Sequence, residues 1–221
     1  MNPFEILFQY REAFLSGFLT TVYLVFLTAV IGTAIGIALE FICNRFEGAT
    51  RRLVDATAFG VAAIPALVIL FWLYYPGQAL LGVVISPFWT ALAALTLINI
   101  FTVYRIVADS MRDFPRQYIA TGQVCGLTRR QIVWYIQAPL LLRAALPRWI
   151  DQQVIILQTS LFASFISVEE TFRVAQRINS VVYQPVVIYT SMALIFLLTA
   201  GSAMYLAKRL RMKYQRDYSE R

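Results

Sequence analysis

Residues equipped for chemistry are few in this chain of 221 residues, and they are poorly spaced for it. There is no histidine, which excludes imidazole metal ligands and imidazole general bases. The two cysteines, Cys43 and Cys125, fall in different segments and have no metal-ligand spacing. Neither of the two lysines, Lys208 and Lys213, follows a glycine, so a phosphate-cradling G-x-x-x-x-G-K-[ST] loop cannot form. The carboxylates are scattered along the chain rather than clustered as an embedded acid–base enzyme would need. The expectation is a chain with no catalytic residue, no metal and no cofactor of its own; if ATP and Mg are used, another chain binds them. What remains is a set of neutral polar side chains inside apolar runs, and an unusual segment from Gln117 to Pro139.

The elements that must position them are membrane spans. The chain is 59% hydrophobic and 14% charged, against about a quarter charged in soluble domains. An all-α integral membrane protein of one domain, 1–221, follows. A span needs about 20 apolar residues, and five stretches supply them, at about 17–39, 56–75, 88–107, 152–168 and 186–207. The charge-free run from Ala56 to Tyr104 is too long for one span, and Pro76-Gly77-Gln78 with Ser86-Pro87 divides it. Span one is too long for a signal-peptide core and has no basic lead-in, so it is expected to remain. Gly32-x-x-x-Gly36 within it permits close helix packing. Pro139, Arg143 and Pro147 interrupt the apolar segment Ile132–Leu146, which is expected at the membrane surface or just inside.

Orientation follows from the basic residues. Arg45, Arg51 and Arg52 lie between spans one and two; Arg105, Arg112, Arg116, Arg129, Arg130, Arg143 and Arg148 lie from the end of span three to span four. Lys208, Arg209, Arg211, Lys213, Arg216 and Arg221 follow span five. Only Arg11, Arg173 and Arg177 lie on the other side. Excess basic residues mark the cytoplasmic side, giving an N-terminus outside and a C-terminus in the cytoplasm. The +7 net charge is then a topology signal with an attraction to membrane lipid, and nucleic acid is not needed to explain it.

Polar residues within spans face protein or water. Asn99 and Thr102 in span three, and Gln158, Thr159, Ser160 and Ser164 in span four, are candidates for a substrate path; interhelical hydrogen bonding is the alternative for each. Glu169 and Glu170 are spaced to pair with Arg173 and Arg177, and Arg105 to pair with Asp109. The C-terminal basic run reads as a solvated tail.

The segment QYIATGQVCGLTRRQIVWYIQAP, Gln117–Pro139, lies in a connection of about forty residues where a short loop would do. Tyr118, Thr121, Gly122 and Cys125 share one face of a short helix at about 116–126. Gly126 fits the left-handed position after a helix, and Thr128 with Gln131 fits a capping box opening the next. A surface connector and a docking helix are equally compatible with these residues.

The segment resembles the conserved cytoplasmic loop of bacterial ABC importer permeases, in which Glu-Ala-Ala, three residues and a glycine precede a proline thirteen positions on. Gly126 and Pro139 have that spacing, and Pro115, Gln131 and Arg129-Arg130 suit it. Ala120, Thr121 and Gly122 stand where Glu-Ala-Ala would be. Ile64-Pro65-Ala66-Leu67-Val68 through Tyr74-Tyr75, and Leu157–Ser180 followed by Gln184-Pro185 and Tyr189, are similar to stretches of the polar amino acid type, the histidine/arginine/glutamine-like permeases. Ala62 replaces an arginine usual there, and Arg105 falls where a glutamate is usual.

The resemblance implies a type I ABC importer permease fold with five transmembrane helices and a cytoplasmic coupling helix between spans three and four. It implies a bacterial inner-membrane protein forming half of the path for a polar amino acid or related small solute. An ABC ATPase subunit would take Gln117, Ala120, Thr121, Gly122, Cys125, Gly126, Arg129 and Pro139 as its docking surface, and Gln158 would stand near the substrate. An extracytoplasmic solute-binding protein and a second permease subunit complete the assembly; the three departures favour a heterodimer over a homodimer. The alternatives are an ATP-independent channel or structural membrane subunit, and, more remotely, a membrane-embedded lipid-modifying enzyme.

Overall fold

The computed structural model describes residues 8–46 and 48–219, the side chains of 215–219 excepted. All regular structure among the described residues is helical. Three helices are long and apolar enough to cross a membrane, and two bent helix pairs bring the number to five if each is one span.

α1 (Arg11–Arg45) turns an unusual stripe inward: Gly17, Thr21, Leu24, Thr28, Gly32, Gly36, Glu40 and Cys43 are buried at three- and four-residue steps. Its large apolar residues, among them Leu15, Leu19, Phe26 and Val30, are exposed. Small residues inside and large ones outside is the pattern of a helix packed in lipid, where close backbone approach rather than water exclusion drives association. The partner is α5 (Pro87–Arg112). A Cβ on Gly32 would sit 2.6 Å from the Asn99 amide nitrogen, and one on Gly36 would sit 2.7 Å from the Ile100 carbonyl oxygen. The glycine pair is a packing device.

The stretch 56–75 is not one straight span. α2 (Ala49–Ala63) and α3 (Ala66–Trp72, running on to Leu81) meet at 99°. Ile64 is extended (φ −90°, ψ 128°), the conformation favoured by the residue before a proline, and Pro65 opens α3. A π turn, Leu73–Gly77, holds Pro76, and α4 (Gln78–Leu81) ends at left-handed Gly82. The Gln78 side chain closes the connection, donating to Thr90 Oγ1 (3.0 Å) and accepting from the Ile85 N–H (2.8 Å). Leu24, Leu70, Leu92, Leu95, Ala163 and Ile166 form the core around it.

After α5 come α6 (Arg116–Val124), α7 (Arg129–Ile132), a second π turn (Val133–Gln137) and α8 (Ala138–Thr159). Pro139, Arg143 and Pro147 therefore do not interrupt Ile132–Leu146, which runs helically into the fourth span. Proline lacks the N–H of a regular helix and crowds the preceding turn; the wider π turn just before Pro139 absorbs that misfit. Pro147 lies buried inside α8.

A 3-10 stretch, Ser160–Ile166, ends at Ser167 in the left-handed region (φ 70°). α9 (Thr171–Val182) then leaves at 51° and packs against the start of α1, with Phe14 among Val174, Ala175 and Ile178. α10 (Pro185–Ser219) carries the basic run from Lys208 to Arg216 as continuous helix, and Arg221 lies outside the described residues. Arg211 pairs with Asp151 of α8, so that run is not simply a solvated tail.

Candidate functional site

Local chemistry ends α6 and opens α7. The Leu127 N–H donates to the Gly122 carbonyl and the Gly126 N–H to the Gln123 carbonyl, both at 3.0 Å. With Gly126 at φ 75° this is a Schellman stop. Thr128 then opens α7 with the full capping box: its hydroxyl accepts from the Gln131 N–H, and the Gln131 side chain accepts from the Thr128 N–H at 2.8 Å.

The face grouping expected for α6 divides in two. Gly122 is buried because a Cβ there would lie 3.0 Å from Ile132 and 3.1 Å from Ile136, so it is the point where α6 rests on the α7–α8 start. Thr121 and Cys125 are exposed with Gln117, Ala120, Gly126 and Arg129, and Pro139 is half-buried away from them. Val124 was missed: at 88% exposed it is the large apolar side chain on an outward face shared with Gln117, Ala120 and Thr121. The spacing Gln117, Ala120, Thr121, Val124 was the available signal. Trp134 and Tyr135 are exposed beyond it.

The path candidates do not converge on one cavity. Asn99 is fully buried; its Nδ2 donates to the Thr28 carbonyl (3.1 Å) and its Oδ1 accepts from Gln153 Nε2 (3.3 Å). It ties α1, α5 and α8 together, so the interhelical reading holds for it. Thr159, Ser160 and Ser164 donate their hydroxyls to carbonyls of their own helix, at 2.7–2.8 Å, and the two serines are buried. Gln158 is exposed in a cleft of about 680 Å³ between α8 and α10, above Asp151, Lys208 and Arg211. Thr102 lines a separate cavity of about 260 Å³ between α2, α5 and α8.

The charged pairings also differ from expectation. Glu169 pairs with Arg177 at 3.1 Å, but Glu170 is buried and caps α9, accepting from the N–H groups of Phe172 (2.9 Å) and Arg173 (2.8 Å). A carboxylate at a helix start is used up by the backbone. Burial pushes the Glu170 carboxyl up to about 7, against the opposing pull of those two N–H bonds. Asp109 lies 3.8 Å from Arg112, not on Arg105. At that same end of the bundle Arg51 reaches buried Glu40 at 2.5 Å.

The model of the family described as "Binding-protein-dependent transport system inner membrane component" matches residues 30–212. The chain is 27% identical to the octopine transport system permease protein OccM of Rhizobium meliloti over 207 residues, covering 88% of this chain and 84% of that one. It is 23% identical to the probable glutamine ABC transporter permease protein GlnP of Bacillus subtilis, over 77% and 78% of the two chains. The arginine ABC transporter permease protein ArtQ of Haemophilus influenzae is 23% identical, over 92% and 96%. Among solved structures, a chain of an amino acid ABC transporter superposes with TM-score 0.82 at 22% identity, over 95% and 96%. A chain of the inward-facing methionine ABC transporter MetNI gives 0.74 at 16% identity, over 93% and 98%. At those identities the solved structures establish the fold alone.

Proposed function

The chain belongs to the family of binding-protein-dependent transport system inner membrane components, and from that premise we propose that it forms half the translocation path of an ABC importer for a polar amino acid or related small solute, driven through α6 by a separate ATPase subunit. The observation that carries the coupling role is the construction of α6. Its C-terminal end is locally fixed at Gly126 and followed directly by the capped start of α7, its inner side is seated at Gly122, and Gln117, Ala120, Thr121 and Val124 are left facing outward. A rigid helix seated on the start of α8 transmits displacement into a membrane span, as two-state switching requires. The names of the relatives support the amino acid substrate class.

ATP and Mg belong to the ATPase in this reading, solute arrives from an extracytoplasmic binding protein, and a second, different permease chain completes the path. Gln158 faces that path. The N-terminus lies outside and the C-terminus in the cytoplasm. Contacts between Arg51 and Glu40, Arg148 and Asp113, and Arg211 and Asp151 gather the basic segments at the end of the bundle that carries α6. The test is co-expression with candidate ATPase subunits. Cys125, exposed beside α6, should cross-link to the ATPase and the two should co-purify; failure of both overturns the coupling role. Purification of the native complex with a second copy of this chain instead of a different permease would overturn the heterodimer.

A further inference from the structure

Arg105 is a cation without an ion-pair partner among the described residues, on the side of α5 turned toward α2 and α8. Its neighbour Tyr104 is fully buried and donates to Asp55 at 2.7 Å, while Arg105 is exposed. An arginine near the apolar layer must reach water, a counter-ion or a ligand. The carboxylates that follow it at the end of α5 are engaged elsewhere, though loosely: Asp109 lies 3.8 Å from Arg112, and Asp113 lies 3.8 Å from Arg148.

Arg105, Arg148, Asp109 and Thr102 line one cavity of about 260 Å³, whose remaining wall is apolar and includes Ala62 and Phe101. The chemistry of that lining is selective. Two guanidinium groups favour a carboxylate, which each can grip with its planar fork. Asp109 repels a simple anion, and the two arginines repel a simple cation. A small molecule that carries a carboxylate and an ammonium together satisfies both sets. The volume is below the roughly 300–1,000 Å³ of pockets for drug-sized ligands, which leaves room for a short side chain against Ala62.

We propose that this cavity binds a zwitterionic α-amino acid with a small side chain, its carboxylate on Arg105 and Arg148 and its ammonium on Asp109. The proposal rests on the amino acid importer reading and adds to it a binding site on this chain. Thr102, whose hydroxyl donates to the Ile98 carbonyl at 2.9 Å, offers its oxygen as a further acceptor for the ammonium.

The test uses the full-length chain in phosphatidylethanolamine–phosphatidylglycerol nanodiscs and saturation-transfer NMR. L-alanine is the probe, with N-acetyl-L-alanine and L-alanine methyl ester as analogues lacking one charge each. Saturable alanine binding is expected, weakened roughly tenfold or more in both analogues and in Arg105→Gln and Asp109→Asn, the scale of a lost charged hydrogen bond. Ala62→Phe fills the cavity without touching a charge and should abolish binding while the protein melts normally. Absence of saturable alanine binding to the native chain, or unchanged binding in Arg105→Gln, overturns the site. Equal binding of either analogue overturns the zwitterion assignment. ATP-driven uptake by the assembled transporter is measured in parallel: uptake without alanine binding to this chain sinks the site and spares the importer. Alanine binding with no ATPase partner does the reverse.

Discussion

Gly36 has no side chain because the α5 backbone occupies the place of one: a Cβ would lie 2.7 Å from the Ile100 carbonyl oxygen and 2.9 Å from Val103. Backbone cannot rotate away as a side-chain tip can, so Gly36→Ala should destabilise the bundle by about 1–3 kcal/mol, the cost of overpacking. Gly201, with nothing within 4 Å of its Cβ position, should accept alanine without loss. Melting temperatures of the two variants in the same detergent make the comparison, and equal melting would refute the close approach. Glu170 offers a second residue-scale prediction. Its carboxyl is raised by burial to about 7 from an ordinary value near 4.5, so the folded state favours the protonated form. Its contribution is full below about 4.5 and is lost as pH rises through about 7. Amide exchange at Thr171–Arg173 should therefore be more protected at pH 5 than at pH 8, after correction for intrinsic rates. Glu170→Gln, which keeps an acceptor for the two N–H groups, should remove that difference. An unchanged pH dependence in the variant would assign it to another group.

At the scale of elements, what was legible in the sequence was what is decided locally. The stop at Gly126 and the capping box of Thr128 and Gln131 depend on neighbours within four residues, and both stand in the structure as read. The inward turn of Gly122 depends on Ile132 and Ile136, which no helical spacing within α6 reveals. The prolines misled for a related reason: Pro139 reads as a breaker, but a π turn one position earlier makes room for it. Pro65 carries a local signal for the bend in the second span, because the residue before a proline avoids helical backbone. The same division sets the prediction for α6. Val124→Asp changes an exposed side chain and should leave stability within about 0.5 kcal/mol, yet reduce ATPase retention in a pull-down roughly tenfold, the effect of burying one unpaired charge. Gly122→Leu should reduce retention too, but by unseating the helix from Ile132 and Ile136, and should also lower the melting temperature. If Val124→Asp retains the ATPase fully, the outward face of α6 is not the contact.

Across the whole molecule, the charges sort to one end more clearly than any single span boundary could be read. Glu40 with Arg51, Asp113 with Arg148 and Asp151 with Arg211 bind the ends of α1, α5 and α10 to their neighbours, and Arg143 lies over the Tyr214 ring at 5.9 Å. α6 and exposed Cys125 belong to that end. The start of α5 and the apolar connection before it belong to the other, with Val84 fully exposed there. The distribution of arginine and lysine made this arrangement legible, because it is a property of whole segments and tolerates errors in where each helix begins. Which polar residues line a cavity was not legible, because a polar side chain in a span looks the same whether it ties helices, as Asn99 does, or lines a cavity, as Thr102 does. The polarity itself is open to direct labelling. A membrane-impermeant maleimide applied to intact cells should leave Cys125 unmodified and should label it in inverted vesicles, while buried Cys43 stays silent in both. Val84→Cys, in a chain with Cys125→Ser, should show the opposite pattern. Labelling of Cys125 from outside would overturn the proposed orientation and with it the proposed cytoplasmic placement of α6, since an ATPase cannot dock where there is no ATP; labelling confined to inverted vesicles would place α6, the basic ends and the ATP supply on one side of the membrane, as the proposed coupling requires.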